Sequence, residues 1–169
     1  MDVMDAILTR RSIRKYKKKT ISDEILQNLF NAGCSAPTAG NQQPWHFILL
    51  DDRKILNVIQ TFHPSAKILT EADKAILVCG DLNLEKFKGY WMIDCAAATE
   101  NILLAAHSFE LGACWLGIYP REGRISGMRK LLKLPTHIIP FALISLGYPA
   151  EIKPKEDRYN NSRIHQNKW

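Results

Sequence analysis

The chain has 169 residues, of which 46% are hydrophobic and 24% charged, and its formal net charge is +6. This length suits one domain with a single core, and the composition argues against extended disorder. The longest apolar stretch, Ile138 to Leu146, contains Pro140 and is far shorter than the ~20 residues that span a bilayer. The first five residues lack the basic and apolar regions of a signal peptide, so we expect a cytoplasmic protein.

The cysteines and histidines do not have the spacing of a metal site. Cys34, Cys79, Cys95 and Cys114 form no CxxC pair, and no two histidines form an HxxxH pair. Structural zinc sites use such closely spaced pairs. Because each cysteine lies among apolar residues, we expect reduced core thiols, with neither a metal nor a disulfide framework.

Small polar residues precede three helical patterns and are expected to cap them: Asp2, Ser22, and either Asp51 or Asp52. The second of these helices is expected to end near Gly33. Its apolar face comprises Ile25, Leu26, Leu29 and Phe30.

The longest predicted helix runs from Met92 to Leu111 and is apolar over most of its circumference. Gly112 occupies the position expected of a left-handed cap. A helix that is apolar on all sides needs several packing partners, and a subunit interface is one way to provide them.

Four apolar runs predict buried strands: His46–Leu50, Ala75–Cys79, Ala113–Ile118 and Phe141–Leu146. Helices fall between them without regular alternation, which favours an α+β fold over a doubly wound sheet. The sequence contains neither GxGxxG nor GxxxxGK, so it encodes no Rossmann site or P-loop. After Gly147 the chain turns polar, and this tail is expected either to be disordered or to wrap over another surface.

Arg10, Ser12 and Arg14 are spaced two residues apart near the end of the first predicted helix. In an extended chain their side chains face one side, where two guanidinium groups and a hydroxyl can bind a phosphate. Two alternatives remain open: a solvated basic turn, and a nucleic-acid patch built from Arg10 to Lys19.

The segment from Pro37 to Trp45 is dense in amides and leads directly into a strand. Asparagine and glutamine offer both donors and acceptors, which matches the pyrimidine edge of a flavin. The alternative is an ordinary connection in which the amides satisfy the local backbone.

Together these stretches resemble the FMN-dependent nitroreductase family. Arg10–Tyr16 is similar to the opening signature of that family, Pro37–Trp45 to its second signature, and Asp94–Ala106 to its long central helix. Two further matches follow in the same order: Trp115–Ile118 and Gly147–Pro149. The resemblance covers nearly the whole chain, and the ordered set is more specific than any one motif.

The resemblance implies a single-domain α+β fold over residues 1–169, with a central, mostly antiparallel sheet flanked by helices. It implies an intertwined homodimer in which residues 147–169 wrap the partner subunit and FMN binds at the interface. Arg10, Arg11, Ser12 and Arg14 would bind the phosphate and the pyrimidine side. The remaining cofactor contacts would be Pro37, Thr38, Ala39 and Asn41 from the partner, the backbone of Gly117 and Ile118 near flavin N5, and Lys155 with Arg158 at the phosphate.

The same resemblance implies an NADH- or NADPH-dependent oxidoreductase that reduces small electron-poor substrates, such as nitro compounds and quinones, with ping-pong kinetics. The flavin would carry the chemistry, so no catalytic side chain is expected. Alternatives on the same fold are dehalogenation, flavin fragmentation and flavin storage. Family members often roof the flavin with a helical excursion before the central helix. Here only Asp81–Trp91 is available, leaving Tyr90 and Trp91 as a short cover or as interface packing.

Overall fold

Three polar side chains cap the first three α-helices of the computed structural model, which describes residues 1–169. Asp2 Oδ1 accepts a hydrogen bond from Asp5 N at 3.0 Å, and Ser22 Oγ accepts one from Ile25 N at 3.4 Å. Asp52, not Asp51, caps the third helix. These caps confirm the predicted starts of α1 (Val3–Thr9), α2 (Asp23–Cys34) and α3 (Arg53–Ile59).

The sheet has five strands: β1 (Tyr16–Lys17), β2 (Trp45–Leu50), β3 (Lys74–Asp81), β4 (Gly112–Gly117) and β5 (Ile138–Pro149). β5 pairs with β1, β3 and β4, and β2 pairs with the other side of β3. All four ladders are antiparallel, which confirms the predicted α+β class with an antiparallel sheet.

Both faces of the sheet are covered by helices. Ile76 and Val78 of β3 pack in a core cluster with α2 and α4 (Trp91–Ser108). The alternate residue Leu77 packs on the other face with α3, the 3₁₀ segment Pro64–Thr70 and α5 (Glu122–Leu132). Burial on both faces explains why these strands are continuous apolar runs.

Helix α4 is the longest helix, yet one chain buries only part of its surface. Its buried residues recur every three to four positions, from Trp91 to Ala106, whereas Ile93 is 60% exposed. Neither α4 nor any other helix combines the length and apolarity needed to cross a membrane.

The predicted left-handed cap at Gly112 is wrong. α4 ends at Ser108, and the positive φ of 59° after it belongs to Glu110. Gly112 instead begins β4, where a Cβ would stand 2.6 Å from Cγ2 of Ile13. Close approach of the N-terminal segment therefore explains this glycine.

Strand β5 extends beyond the predicted Phe141–Leu146 at both ends and includes Pro140. Pro140 lies opposite Cys79, where the register between β3 and β5 shifts because Phe141 is an extra residue in β5. A bulge interrupts the ladder and tolerates a residue without an N–H. The same strand continues through Gly147–Pro149, where it pairs with β1.

Three of the four cysteines lie in the core, as expected, but Cys34 is exposed at the end of α2. Burial raises the pKa of Cys79 to about 12. Its sulfur is therefore a thiol at neutral pH and behaves as a small apolar group.

Gly80 lies against the ring of Trp91 and gives a first prediction. A Cβ at Gly80 would stand 2.3 Å from Trp91 Cε3, and Trp91 is buried against Tyr119 and Phe141. Gly80→Ala is therefore expected to lower the free energy of unfolding by about 1–3 kcal/mol. Gly123→Ala, in helix α5 with open space around it, is the control and is expected to raise that energy by roughly 0.5–1 kcal/mol. Urea denaturation distinguishes them, and equal effects would contradict the packing argument.

Candidate functional site

The basic segment after α1 lies along the edge of β4. Arg10 is the C-cap of α1, and Ser12 forms a parallel bridge with Ala113. Ile13 N donates to Ala113 O at 3.0 Å. The helix thus ends where the sequence predicted, and the chain continues beside the sheet edge.

The start of the C-terminal tail is attached to the same segment by a backbone hydrogen bond from Ala150 N to Lys15 O and by three hydrogen bonds that involve side chains. Lys153 Nζ donates to Ser12 O at 2.7 Å, and Arg11 Nε donates to Pro154 O at 2.9 Å. Glu151 Oε1 accepts from Arg14 N at 2.6 Å. This backbone N–H and the nearby Lys153 ammonium lower the pKa of Glu151. The tail therefore leaves the sheet at a fixed position.

These contacts bring together four of the predicted phosphate-binding cations. A groove of about 660 Å³ is lined by Arg10, Arg11, Lys155 and Arg158, with Glu156 and Asp157 also on its wall. Arg10 Nε lies 3.2 Å from Glu100, and Arg158 Nη2 lies 2.7 Å from Glu156. Because four cations and only two acids line the groove, it carries an excess of positive charge.

Arg11 provides a buried donor with no acceptor. Its Nε and Nη1 donate to the carbonyls of Pro154 and Arg10, but Nη2 is buried without a partner. Leaving such a charged donor unsatisfied costs free energy, so an anionic acceptor that reached Nη2 would stabilise this arginine.

Ser12 and Arg14 do not line this groove. The Arg14 side chain is exposed and forms no hydrogen bond or ion pair within the chain. One chain therefore brings Arg10 together with the tail cations but does not bring Arg14 to the same groove.

The amide-rich loop is held by one buried carboxylate, Asp94, in the first turn of α4. Asp94 is 3% exposed and accepts from Thr38 Oγ1 at 2.7 Å, Ala39 N at 3.1 Å and Gln42 Nε2 at 2.7 Å. Pro37 precedes these residues and is exposed. The loop is thus fixed to the start of the central helix.

The amides of the loop divide into two roles. Gln42 is 5% exposed, and its Oε1 accepts from the backbone N–H groups of Lys86 and Phe87. Both ends of its amide are therefore used in hydrogen bonds within the chain. Asn41 and Gln43 are exposed, have positive φ angles, and join through a 2.7 Å hydrogen bond. Only these two amides face solvent.

Gly117, at the end of β4, has an open face and a backbone N–H without an acceptor in β5. Ile118 N donates to Phe141 O at 3.2 Å, and the alternation of an antiparallel ladder directs the Gly117 N–H away from β5. A Cβ at Gly117 would meet no atom within 4 Å. Ile118, in contrast, is fully buried, and its N–H is used.

Sequence reasoning missed two side chains that bind the Gly117 carbonyl. His63 Nε2 lies 3.1 Å from that oxygen, and Arg124 Nη1 also donates to it. His63 is 54 residues away along the chain, so no local spacing could connect them. Asp94 had a detectable signal, because it is an acid among apolar residues in the first turn of the longest helix.

The remaining basic residues of the N-terminal run lie elsewhere. Lys17, Lys18 and Lys19 line a separate groove, whose wall also includes Glu71 and Asp73. Lys19 Nζ lies 3.8 Å above the ring of Tyr148. The run from Arg10 to Lys19 thus does not form one continuous basic surface.

The two aromatics considered as a flavin cover also differ. Trp91 is buried against Tyr119, with ring centroids 5.0 Å apart, and belongs to the core of its own chain. It is therefore neither a cover nor interface packing. Tyr90 is half exposed and contacts Phe87.

Comparison with known proteins agrees with this geometry. The model of the nitroreductase family matches residues 7–77 and 63–148. A Methanothermobacter thermautotrophicus protein described as a candidate NADH dehydrogenase/NAD(P)H nitroreductase is 47% identical over all of this chain and 88% of its own length. A solved structure of the same description, from Parabacteroides distasonis, superposes with a TM-score of 0.94 at 42% identity, covering 98% of each chain.

A third relative was solved in complex with FMN. It is a candidate nitroreductase from Desulfovibrio desulfuricans, 29% identical, with a TM-score of 0.86 over 100% of this chain and 98% of its own. The match of the family model, the identity and the shared fold all extend over most of the sequence. The chain therefore belongs to the nitroreductase family.

Proposed function

We propose that this protein binds FMN and acts as an NADH- or NADPH-dependent oxidoreductase. The observation that carries the proposal is the groove lined by Arg10, Arg11, Lys155 and Arg158. A phosphate group fits this donor set, because it offers several anionic acceptors to a guanidinium fork. Membership of the family and the relative solved with FMN support the same cofactor.

The remaining contacts divide among three further regions. Gly117 would offer its free N–H and its open face to the flavin ring, with Ile118 supporting the strand end. Ser12 and the unpaired Arg14 would lie toward the pyrimidine side. The loop residues would approach from a second subunit: Pro37, Thr38, Ala39 and Asn41.

When bound, FMN would supply hydride transfer between the nicotinamide and a small electron-poor substrate such as a nitro compound or a quinone. The two substrates would occupy the same site in turn, which gives ping-pong kinetics. The residues of the chain bind and orient, and none is assigned an acid–base role.

A homodimer completes the proposal. Helix α1 exposes apolar side chains, with Val3 73% exposed, and Ile93 of α4 and Ile152 of the tail are also exposed. Exposed apolar groups in this number are typical of an interaction surface. We infer that a second copy covers them, with residues 147–169 wrapping the partner.

Other chemistry on the same fold, such as dehalogenation, flavin fragmentation or storage, is the second candidate, because a fold does not determine a reaction. Binding of nucleic acid is disfavoured by the separation of Arg10 and Arg11 from the lysine groove.

The purified protein is expected to be yellow, and NADH or NADPH should bleach it under anaerobic conditions. Gly117→Ala sharpens the test. Its Cβ meets nothing in the chain, so the stability without flavin should not fall, but the methyl group would occupy the space assigned to the flavin. We expect FMN binding to weaken about tenfold or more, as titrated by flavin fluorescence.

Gly123→Ala, which also adds a methyl group in open space, is the matched control and should bind FMN normally. A colourless protein that takes up no added FMN would overturn the proposed function. Normal FMN affinity in Gly117→Ala would instead remove Gly117 from the site.

A further inference from the structure

The carbonyl of Gly117 accepts hydrogen bonds from two side chains on different elements. His63 lies just before the 3₁₀ segment Pro64–Thr70, and Arg124 lies in the first turn of α5. Both donate to the same oxygen, with His63 Nε2 at 3.1 Å. Strand carbonyls are ordinarily satisfied by a neighbouring strand, so this pair of side-chain donors is a specific arrangement.

Packing alone does not explain why a histidine occupies position 63. It is 1% exposed, and because Nε2 donates to a carbonyl, Nδ1 carries a lone pair, which is buried without a partner. Burial, and then the charge of Arg124, lower the pKa of His63, so the ring is neutral. An apolar side chain of similar size would fill the volume without burying an unpaired nitrogen.

The Gly117 carbonyl, which His63 and Arg124 hold, is adjacent to a backbone N–H that has no acceptor in β5. The Gly117 carbonyl and the Gly117 N–H belong to the same residue, and neither bonds to β5. With the carbonyl fixed from two directions, the backbone of a glycine, which is otherwise the least restricted residue, is held in one conformation.

We propose that His63 and Arg124 are positioning residues that fix the Gly117 backbone for contact with the flavin. The inference rests on the proposed function, because it requires a flavin beside Gly117. His63 contributes an uncharged hydrogen bond, and Arg124 adds a cation close to the same edge of the site.

The test compares His63→Leu with His63→Gln, which retains an amide donor able to reach the carbonyl. We expect His63→Leu to weaken FMN binding about tenfold, the loss of one hydrogen bond, and to shift the flavin reduction potential. His63→Gln should restore both quantities. Urea denaturation without flavin should show that the Leu variant remains folded.

A second pair of variants tests the proposal through Arg124 and leaves His63 unchanged. Arg124→Ala is expected to weaken FMN binding and to lower the reduction potential, because a cation near the flavin is lost. Arg121→Ala removes the same charge from an exposed position three residues earlier and should change neither.

The outcomes separate the two proposals. If the wild type binds no FMN, both the proposed function and this inference fail. If the wild type binds FMN and His63→Leu and Arg124→Ala keep its affinity and potential, only the inference fails.

Discussion

Deletion of Lys155–Trp169 is expected to abolish most FMN retention while leaving the fold intact. The deletion removes Lys155 and Arg158, two of the four cations in the groove. A lost charge-assisted hydrogen bond costs roughly 1.5–3 kcal/mol, or about tenfold to hundredfold in affinity for each cation. Every residue of the deleted segment is exposed, so the core should not change.

The deletion retains Pro154, whose carbonyl accepts from Arg11, so the start of the tail stays attached. Two full-length variants separate charge from chain length. Lys155→Met with Arg158→Met should reproduce the loss of FMN, whereas Lys17→Ala with Lys18→Ala, in the other basic groove, should not. Sedimentation of the wild type should give one species near twice 19.3 kDa. Wild-type FMN affinity after the deletion would be incompatible with a tail contribution to the phosphate site.

The sequence predicts features that depend on neighbouring residues. Ser22 and Asp52 are caps because their side chains reach an N–H two or three residues ahead. Local spacing identifies Ser22 and narrows the third cap to Asp51 or Asp52. Leu77 and Ile76 are apolar because opposite faces of β3 both contact helices, and this produces an apolar run.

The sequence predictions fail where the role of a residue depends on a partner that is distant along the chain. Pro140 is acceptable in β5 only because an extra residue, Phe141, shifts the pairing with β3 beside it, and β1 is a strand only because β5 extends to pair with it. Gly112 is explained by the side chain of Ile13, about 100 residues earlier. Helical and strand periodicities carry no information about such pairs.

The residues of the candidate site divide in the same way, into those that the sequence identifies and those that depend on distant partners. The family resemblance pointed to Arg10 with Lys155 and Arg158, which no spacing connects, and the structure places them in one groove. His63 was missed because it acts on a carbonyl 54 residues away, whereas Asp94 is visible as an acid among apolar residues, but the loop that it holds is not.

Asp94→Ala is expected to have the largest effect of any single substitution. It removes the common acceptor of Thr38 Oγ1, Ala39 N and Gln42 Nε2 and leaves three donors in a buried site. Hydrogen bonds to a charged group contribute about 1.5–3 kcal/mol each, but the loop can relax and admit water. We therefore expect the free energy of unfolding to fall by roughly 2–4 kcal/mol.

FMN binding should fall further than the loss of stability explains. The loop carries Thr38, Ala39 and Asn41, the residues proposed to contact the flavin of the partner subunit. Once Asp94 is removed, binding must restore the order of the loop, so affinity is expected to drop by about tenfold or more. The titration should be made at a temperature where urea curves show all variants to be folded.

Two further variants distinguish the carboxylate from a general packing role. Thr38→Val removes one donor to Asp94 and the acceptor of Gln43 N but keeps the other two donors to the carboxylate, so it should cost less than Asp94→Ala, about 1–2 kcal/mol. Asp94→Asn preserves the volume but turns an amide donor toward groups that are themselves donors, so it should not rescue stability or FMN binding. If Asp94→Asn behaved like the wild type in both measurements, the volume of the side chain and not its charge would hold the loop, and the role assigned to Asp94 would be wrong.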